Sequence, residues 1–356
     1  MKKTILHFIF SLGRGGAETM LVRAIRELKE YNNIVLTLKD ENDFGDELQC
    51  DKYICLNLKT VAAYPLAIIS LKKIIKNNNV DIVHSHLFWP TLICRMAVPK
   101  NIPLITTIHA FIATSVEYKK WYIRNLDRLS YKLRKSIIVA VAKGAQEEYF
   151  SFLQLTPYKT YVLYTFVDMS RYTQKNIADE TGTFKLISTG ALRIQKNQAY
   201  LVKAMELVKD IDVELHIYGG GPLKEPLQQL IEETRARVIL KGVVKNMEEI
   251  LPTYNACVMS STFEGFSLAV LEAMAVKTPL LLSNIDSFKE QCNNTAQYFM
   301  LNDEQDFVKQ LNFLISNKSK RENMSTQAYE RVIDNFTLPH HTAQLRNIYL
   351  EASGNL

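Results

Sequence analysis

The chain has 356 residues, 47% of them hydrophobic and 22% charged. That is ordinary globular composition and excludes a disordered, collagenous or disulfide-scaffold protein, while the length fits two domains. The net charge of +6 is mild for a nucleic-acid binder unless it is concentrated in one place. In chain order, Lys2, Lys3 and the apolar residues 5–12 resemble a short signal peptide, but no small-x-small cleavage site follows, so a first buried strand is the better reading. Further strands are expected at residues 34–38, 82–84, 104–108, 136–141 and 160–163, after the first at 4–10. A second series is expected at 185–189, 214–218, 238–240, 256–259 and 279–282. Amphipathic helical segments lie between them, for example 17–31 and 198–208. Strands alternating with helices imply parallel sheets.

The polar residues 170–183 separate the two series. Two doubly wound domains follow, 1–169 and 170–340, with a C-terminal helix at 341–356 that packs back on the first. No apolar run reaches the roughly 18 residues of a membrane span. The five cysteines, Cys50, Cys55, Cys94, Cys257 and Cys292, are scattered without a Cys-x-x-Cys pair, which fits a reducing cytoplasm and offers no zinc cage.

Nine of only 13 glycines directly follow an expected strand. Ligands of open α/β sheets bind there, and glycine admits close backbone approach to phosphate, although each one alone also fits a tight turn. The loop Gly13-Arg14-Gly15-Gly16-Ala17-Glu18 opens a helix whose free N–H groups suit an anion, but it lacks the dinucleotide and P-loop patterns. A stronger pattern runs from Glu264-Gly265-Phe266-Ser267-Leu268 to Glu272-Ala273-Met274-Ala275. Ser267 is placed to cap a helix, and the N–H groups of residues 266–269 form an anion site flanked by two carboxylates. A nucleotide sugar has a matching layout of ribose, diphosphate and hexose. A simple cap with one exposed glutamate fits the spacing as well.

These two glutamates, with Gly-Phe-Ser-Leu after the first and Ala-Met-Ala after the second, resemble the signature of family 4 retaining glycosyltransferases. The resemblance extends to Gly15-Gly16-Ala17-Glu18, Thr106-Thr107-Ile108-His109, Thr189-Gly190 through Lys196-Asn197, and Ile217-Tyr218-Gly219-Gly220-Gly221-Pro222. It implies a GT-B fold, two Rossmann-like domains facing across a cleft, and a nucleotide-diphosphate sugar as donor substrate. It also implies that Glu264 binds donor-sugar hydroxyls, Glu272 the ribose, Lys196 and Arg193 the diphosphate, and that His109 lies near the transferred sugar. Gly15, Gly16, Gly220, Phe266, Ser267 and Leu268 complete the expected donor site, with His109, Lys196 and Glu264 as the catalytic set. The sequence departs from the family at Ala191 (usually arginine), at Thr165-Phe166-Val167-Asp168, at Lys277 (commonly glycine) and at Asp286-Ser287.

Cation and helix-dipole stabilisation of the leaving diphosphate makes a divalent metal and a separate cofactor unnecessary. Asp210-Ile211-Asp212 precedes a strand, the wrong end of a sheet for a metal–nucleotide site. His84 and His86 point towards the same cleft as His109 but lack metal-type spacing. The expected activity is retaining transfer to a glycan or lipid-linked acceptor in cell-surface polysaccharide synthesis. A nucleotide-sugar epimerase on a similar fold is the alternative, and a nucleic-acid module finds no aromatic-interleaved basic motif.

Residues 119–135 contain seven Lys/Arg and one acid, and without them the chain has 36 of each sign. On a helix, Arg124, Arg128, Lys132 and Lys135 share one side and Tyr122, Leu126, Leu129 and Leu133 the other. Two readings stay open: a contact to an anionic membrane at the inner face, or a solvated basic face whose apolar side packs on the sheet.

Overall fold

The computed structural model describes residues 2–113, 115, 117–172, 178 and 181–354. The chain divides into two compact units, Met1–Thr165 with Leu338–Leu356, and Phe166–Thr337. These breaks fall a few residues before those expected at 169 and 340. Much of the polar stretch 170–183 lies outside the described residues.

The first unit holds seven strands: β1 (Thr4–Ile9), β2 (Asn32–Thr37), β3 (Lys52–Cys55), β4 (Ile82–His86), β5 (Leu104–Ile108), β6 (Ile137–Ala140) and β7 (Thr160–Val162). They form one parallel sheet in the order β3-β2-β1-β4-β5-β6-β7. The run after Lys3 is therefore a central strand, every residue of it buried, as expected for a strand covered on both faces. The helix Leu338–Gly354 closes one face, burying Leu345, Ile348, Tyr349 and Ala352 among Ile5, Ile105 and Val139.

The second unit repeats the scheme with β8 (Phe184–Thr189), β9 (Val213–Tyr218), β10 (Val238–Gly242), β11 (Ala256–Met259), β12 (Leu280–Ser283) and β13 (Gln297–Phe299). Their order is β10-β9-β8-β11-β12-β13, again all parallel. In both sheets the winding reverses once, between β1 and β4 and between β8 and β11. Such switch points open a crevice at the carboxyl ends, where ligands of these sheets bind.

All eleven expected strands form. The two additional ones, β3 and β13, are edge strands of four and three residues in which only Phe299 is fully buried. They carry too short an apolar run to register in sequence.

The basic segment folds as the helix Trp121–Leu133, and its orientation removes one of the two open readings. Its buried residues are Ile123, Asp127, Ser130 and Tyr131. Tyr122, Leu126, Leu129 and Leu133 face solvent, with Leu129 57% and Leu133 82% exposed, beside Trp121 at 70%. The apolar side does not pack on the sheet. What turns the helix round is the buried pair of Arg95 with Asp127. Tyr118 and Tyr149 also donate to that carboxylate, Tyr149 at 2.9 Å, and a buried charge left without such partners is costly.

Candidate active site

In the second unit the switch point joins the ends of β8 and β11. After β8 the chain turns through Ile194–Lys196, with Asn197 left-handed at φ 51°. Lys196 Nζ donates to Glu264 Oε1 at 2.6 Å, and both side chains are largely buried. Ser261 Oγ donates to the same oxygen at 2.7 Å. An ammonium has three donors and a carboxylate two acceptor oxygens. The pair thus keeps further N–H groups on Lys196 and the Oε2 atom of Glu264 for a ligand. Arg193, one turn earlier, is exposed.

The glycine loops need glycine for a different reason from the one the sequence suggested. Gly219 (φ +146°) and Gly221 (φ +156°) lie against the neighbouring loop, and a Cβ would stand 1.9 Å from Gly190 O and 2.6 Å from Leu192 O respectively. Gly190 N donates to Tyr218 O and Leu192 N to Gly220 O, both at 2.9 Å. The two loops are locked backbone to backbone, which no side chain at Gly219 or Gly221 permits.

Ser267 stands at the N-cap of the helix Leu268–Ala275, but its side chain makes no cap bond and Oγ is buried without a partner. Gln291 holds its backbone instead, accepting from Ser267 N at 3.0 Å and donating to Ser267 O at 2.8 Å. A primary amide matches a peptide group in both directions, so the hydroxyl is left over. One of the N–H groups expected to be free is therefore engaged. Phe266 buries its ring against Phe336 at 5.0 Å, and Leu268 begins the helix partly buried. Glu272, one turn on, accepts from Tyr172 Oη at 2.7 Å. Gln291 and Tyr172 are polar residues outside every recognisable motif, and the sequence carried no signal for either. Lys277, where the resemblance places glycine, adopts φ +59°, a conformation uncommon for a side chain this long. Asp212 of the Asp-Ile-Asp string pairs with Arg237 at 2.8 Å on the surface.

In the first unit Gly15 is the N-cap of the helix Gly16–Glu27, without a side-chain cap. The carboxylate of Glu18 folds over it, so that a Cβ on Gly15 would lie 2.3 Å from Glu18 Oε2. Burial, and then the nearby Glu41, raises the Glu18 pKa. A carboxyl group of the protein itself thus sits at the helix start that the sequence offered to an anion.

His109, just beyond β5, is brought against His86 at the end of β4, with Nε2 3.1 Å from His86 Nδ1. His84 joins Tyr349 Oη at 2.8 Å and Thr107 Oγ1 at 2.7 Å. His7 and His341 complete a cluster around a cavity of about 30 Å³. Burial lowers His7, His109 and His341 to about 4 and holds His84 and His86 well below the ordinary value. The five rings are neutral at pH 7. Nitrogens of His7, His84 and His86 lie within 4.8 Å of one another, an arrangement that takes its third member from β1 and so escapes any local spacing rule. Both nitrogens of His84 are already hydrogen-bonded, so the trio does not offer three free ligands. His109 also borders a second cavity of about 110 Å³ lined by Phe88, Ile108, Phe111, Ile112 and Tyr118.

Comparison with known proteins agrees with this architecture. Residues 14–171 match the family described as Glycosyltransferase Family 4, and residues 171–331 match Glycosyl transferases group 1. The chain belongs to this family and is a glycosyltransferase. It is 28% identical over 285 residues to the Campylobacter jejuni N-acetylgalactosamine-N,N'-diacetylbacillosaminyl-diphospho-undecaprenol 4-alpha-N-acetylgalactosaminyltransferase, covering 75% of this chain and 77% of the relative. It is 24% identical over 320 residues to the Escherichia coli UDP-Gal:alpha-D-GlcNAc-diphosphoundecaprenol alpha-1,3-galactosyltransferase, covering 84% and 82%. Among solved structures, Anabaena HepE in complex with UDP and glucose superposes with a TM-score of 0.83 at 16% identity, over 97% of this chain and 98% of that one. The fold is GT-B. The two sequence relatives are sugar transferases, which leaves the epimerase alternative without support.

Among the described residues, no helix is long and apolar enough to cross a membrane.

Proposed function

We propose that this protein transfers a sugar, with retention of anomeric configuration and without a divalent metal, from a nucleotide-diphosphate sugar to a lipid-linked acceptor of a cell-surface polysaccharide. The observation that carries the reading is the Lys196–Glu264 pair at the β8/β11 switch point, with the Glu264-to-Glu272 pattern that sequence resemblance assigns to the donor. Lys196 and Arg193 stabilise charge on the leaving diphosphate, together with the helix start at Ser267 and Leu268. Glu264 accepts from donor-sugar hydroxyls through Oε2 and Glu272 from the ribose. His109 supplies a further hydrogen-bonding nitrogen to the substrate. The acceptor hydroxyl attacks on the face the diphosphate leaves, and the departing phosphate oxygen takes its proton.

The acceptor class rests on the Campylobacter and Escherichia relatives, both named for diphospho-undecaprenol-linked substrates. It also rests on the exposed stripe of Tyr122, Leu126, Leu129 and Leu133, with Trp121, Arg124 and Lys132 beside it, which suits the anionic inner face of a membrane. The five free cysteines support a reducing compartment.

The test is a reaction of nucleotide sugar with a polyprenyl-diphosphate-linked sugar, in chelator. Acceptor-dependent release of nucleoside diphosphate and a product whose anomeric NMR coupling matches the donor are expected. Release without acceptor, an inverted product, or abolition by chelator each overturns the corresponding part. Flotation with anionic vesicles is expected to fall on Leu129→Ser/Leu133→Ser, and unchanged flotation defeats the membrane contact.

A further inference from the structure

At the amino ends of β5, β6 and β7, opposite the histidine cluster, lies a cavity of about 160 Å³. Four of the ten residues that line it are cationic, Lys100, Arg134, Lys135 and Lys159, and none is acidic. Ligands of this fold class bind at the other end of the strands, so the cavity is separate from the site described above. Its charge is also where the net charge of the whole chain concentrates, since Arg134 and Lys135 end the basic segment 119–135.

The Arg134 guanidinium is fixed from behind. It donates to Ile102 O at 2.8 Å, to Lys135 O at 3.0 Å and to Pro99 O at 3.4 Å, while its buried Nε has no partner. Lys135 lies over the ring of Tyr158, 5.9 Å from its centroid. Lys159 is held by Glu351 at 3.1 Å, which leaves three of the four cations without a carboxylate partner among the described residues. Converging cations around a concave opening, with a guanidinium already oriented, are the chemistry of a phosphate site. Leu133, 82% exposed, immediately precedes Arg134, and Leu129 stands one turn before it on the same apolar stripe.

We propose that this cavity is a second anion site that takes the phosphate of an anionic lipid headgroup, with Leu129 and Leu133 in the adjoining acyl region. The proposal rests on reading the stripe Trp121–Leu133 as membrane-facing. Its test uses Lys100→Gln/Lys135→Gln, two exposed positions whose replacement leaves the packed core intact, and Lys318→Gln/Lys320→Gln as a control with equal charge loss in the second unit.

Binding of the full chain to vesicles of phosphatidylcholine and phosphatidylglycerol in equal parts is expected to weaken about fivefold per lost cation, roughly 30-fold for the cavity variant. The control variant is expected to bind as the parent does, and transfer to a soluble acceptor analogue is expected to be unchanged in both. Inorganic phosphate is expected to raise the melting temperature of the parent by more than that of the cavity variant, which keeps the proposed diphosphate site of the second unit. Equal losses in cavity and control variants overturn the site, as does vesicle binding by the cavity variant at parental strength. A phosphate-induced shift without any anionic-vesicle binding overturns the lipid assignment. If Leu129→Ser/Leu133→Ser abolishes vesicle binding while the cavity variant keeps it, the membrane contact stands and the cavity proposal falls.

Discussion

Lys196 and Glu264 meet through one oxygen: Nζ lies 2.6 Å from Glu264 Oε1, which also accepts from Ser261. On the proposed reading the pair need not separate to act, because the ammonium keeps further N–H groups and the carboxylate a second oxygen for separate ligand atoms. Each also holds the other in place before the donor arrives, which limits reorganisation when charge develops.

Lys196→Ala is therefore expected to lower kcat by about 10²- to 10³-fold, the range for losing one preorganised charge-stabilising group. Glu290→Gln, at a residue whose backbone carbonyl accepts from Arg331, is expected to change kcat little. Steady-state kinetics with saturating donor compares them, and equal small losses would remove Lys196 from the catalytic set.

Gln291 is the residue on which the Ser267 turn depends. Gln291→Ala deletes both of its hydrogen bonds to Ser267 in a fully buried position. A cost of about 2–3 kcal/mol is expected from the unpaired peptide groups, together with a raised KM for the donor. Denaturant unfolding and donor titration read the two effects separately. A variant that loses stability with an unaltered donor KM would show that the turn does not position the donor.

Eleven of the strands and the Glu264–Glu272 pattern were legible because each is local: a β-branched run, or two carboxylates eight residues apart across one loop and the helix start that follows it. What the sequence did not carry is the set of contacts made across elements. The histidine trio draws on β1 and β4, Gln291 reaches Ser267 from another helix, and Asp127 meets Arg95 from 32 residues away. The basic helix is the clearest instance. Its amphipathic pattern is real, but periodicity says only that two faces differ, and the Arg95–Asp127 pair decides which of them is buried.

The buried histidines make the first unit sensitive to acid. His7 and His341 titrate at about 4 when folded against 6.5 ordinarily, because burial disfavours the charged ring. Between these values the unfolded chain binds more protons than the folded one, so stability is full above pH 6.5 and is lost as pH falls towards 4. Each such histidine is expected to cost on the order of 2 kcal/mol at pH 5. The chain's two tryptophans, Trp89 and Trp121, both lie in the first unit, so their fluorescence follows its unfolding alone. A denaturation midpoint that stays constant from pH 7 to pH 5 would rule out the acid-linked loss.

Asp127 holds the basic helix in its reversed orientation. Asp127→Ala leaves the Arg95 guanidinium buried beside Tyr149, 3.0 Å away, without its counter-ion. Removing one partner of a buried pair costs about 3–5 kcal/mol. The double replacement Arg95→Met/Asp127→Leu removes both charges, and is expected to be less destabilising than Asp127→Ala alone. Trp121 opens the same helix, so tryptophan-monitored unfolding in denaturant reports the loss directly. If the double variant is the weaker of the two, the charges stabilise the helix beyond their mutual compensation, and the pair is more than a means of neutralising Arg95.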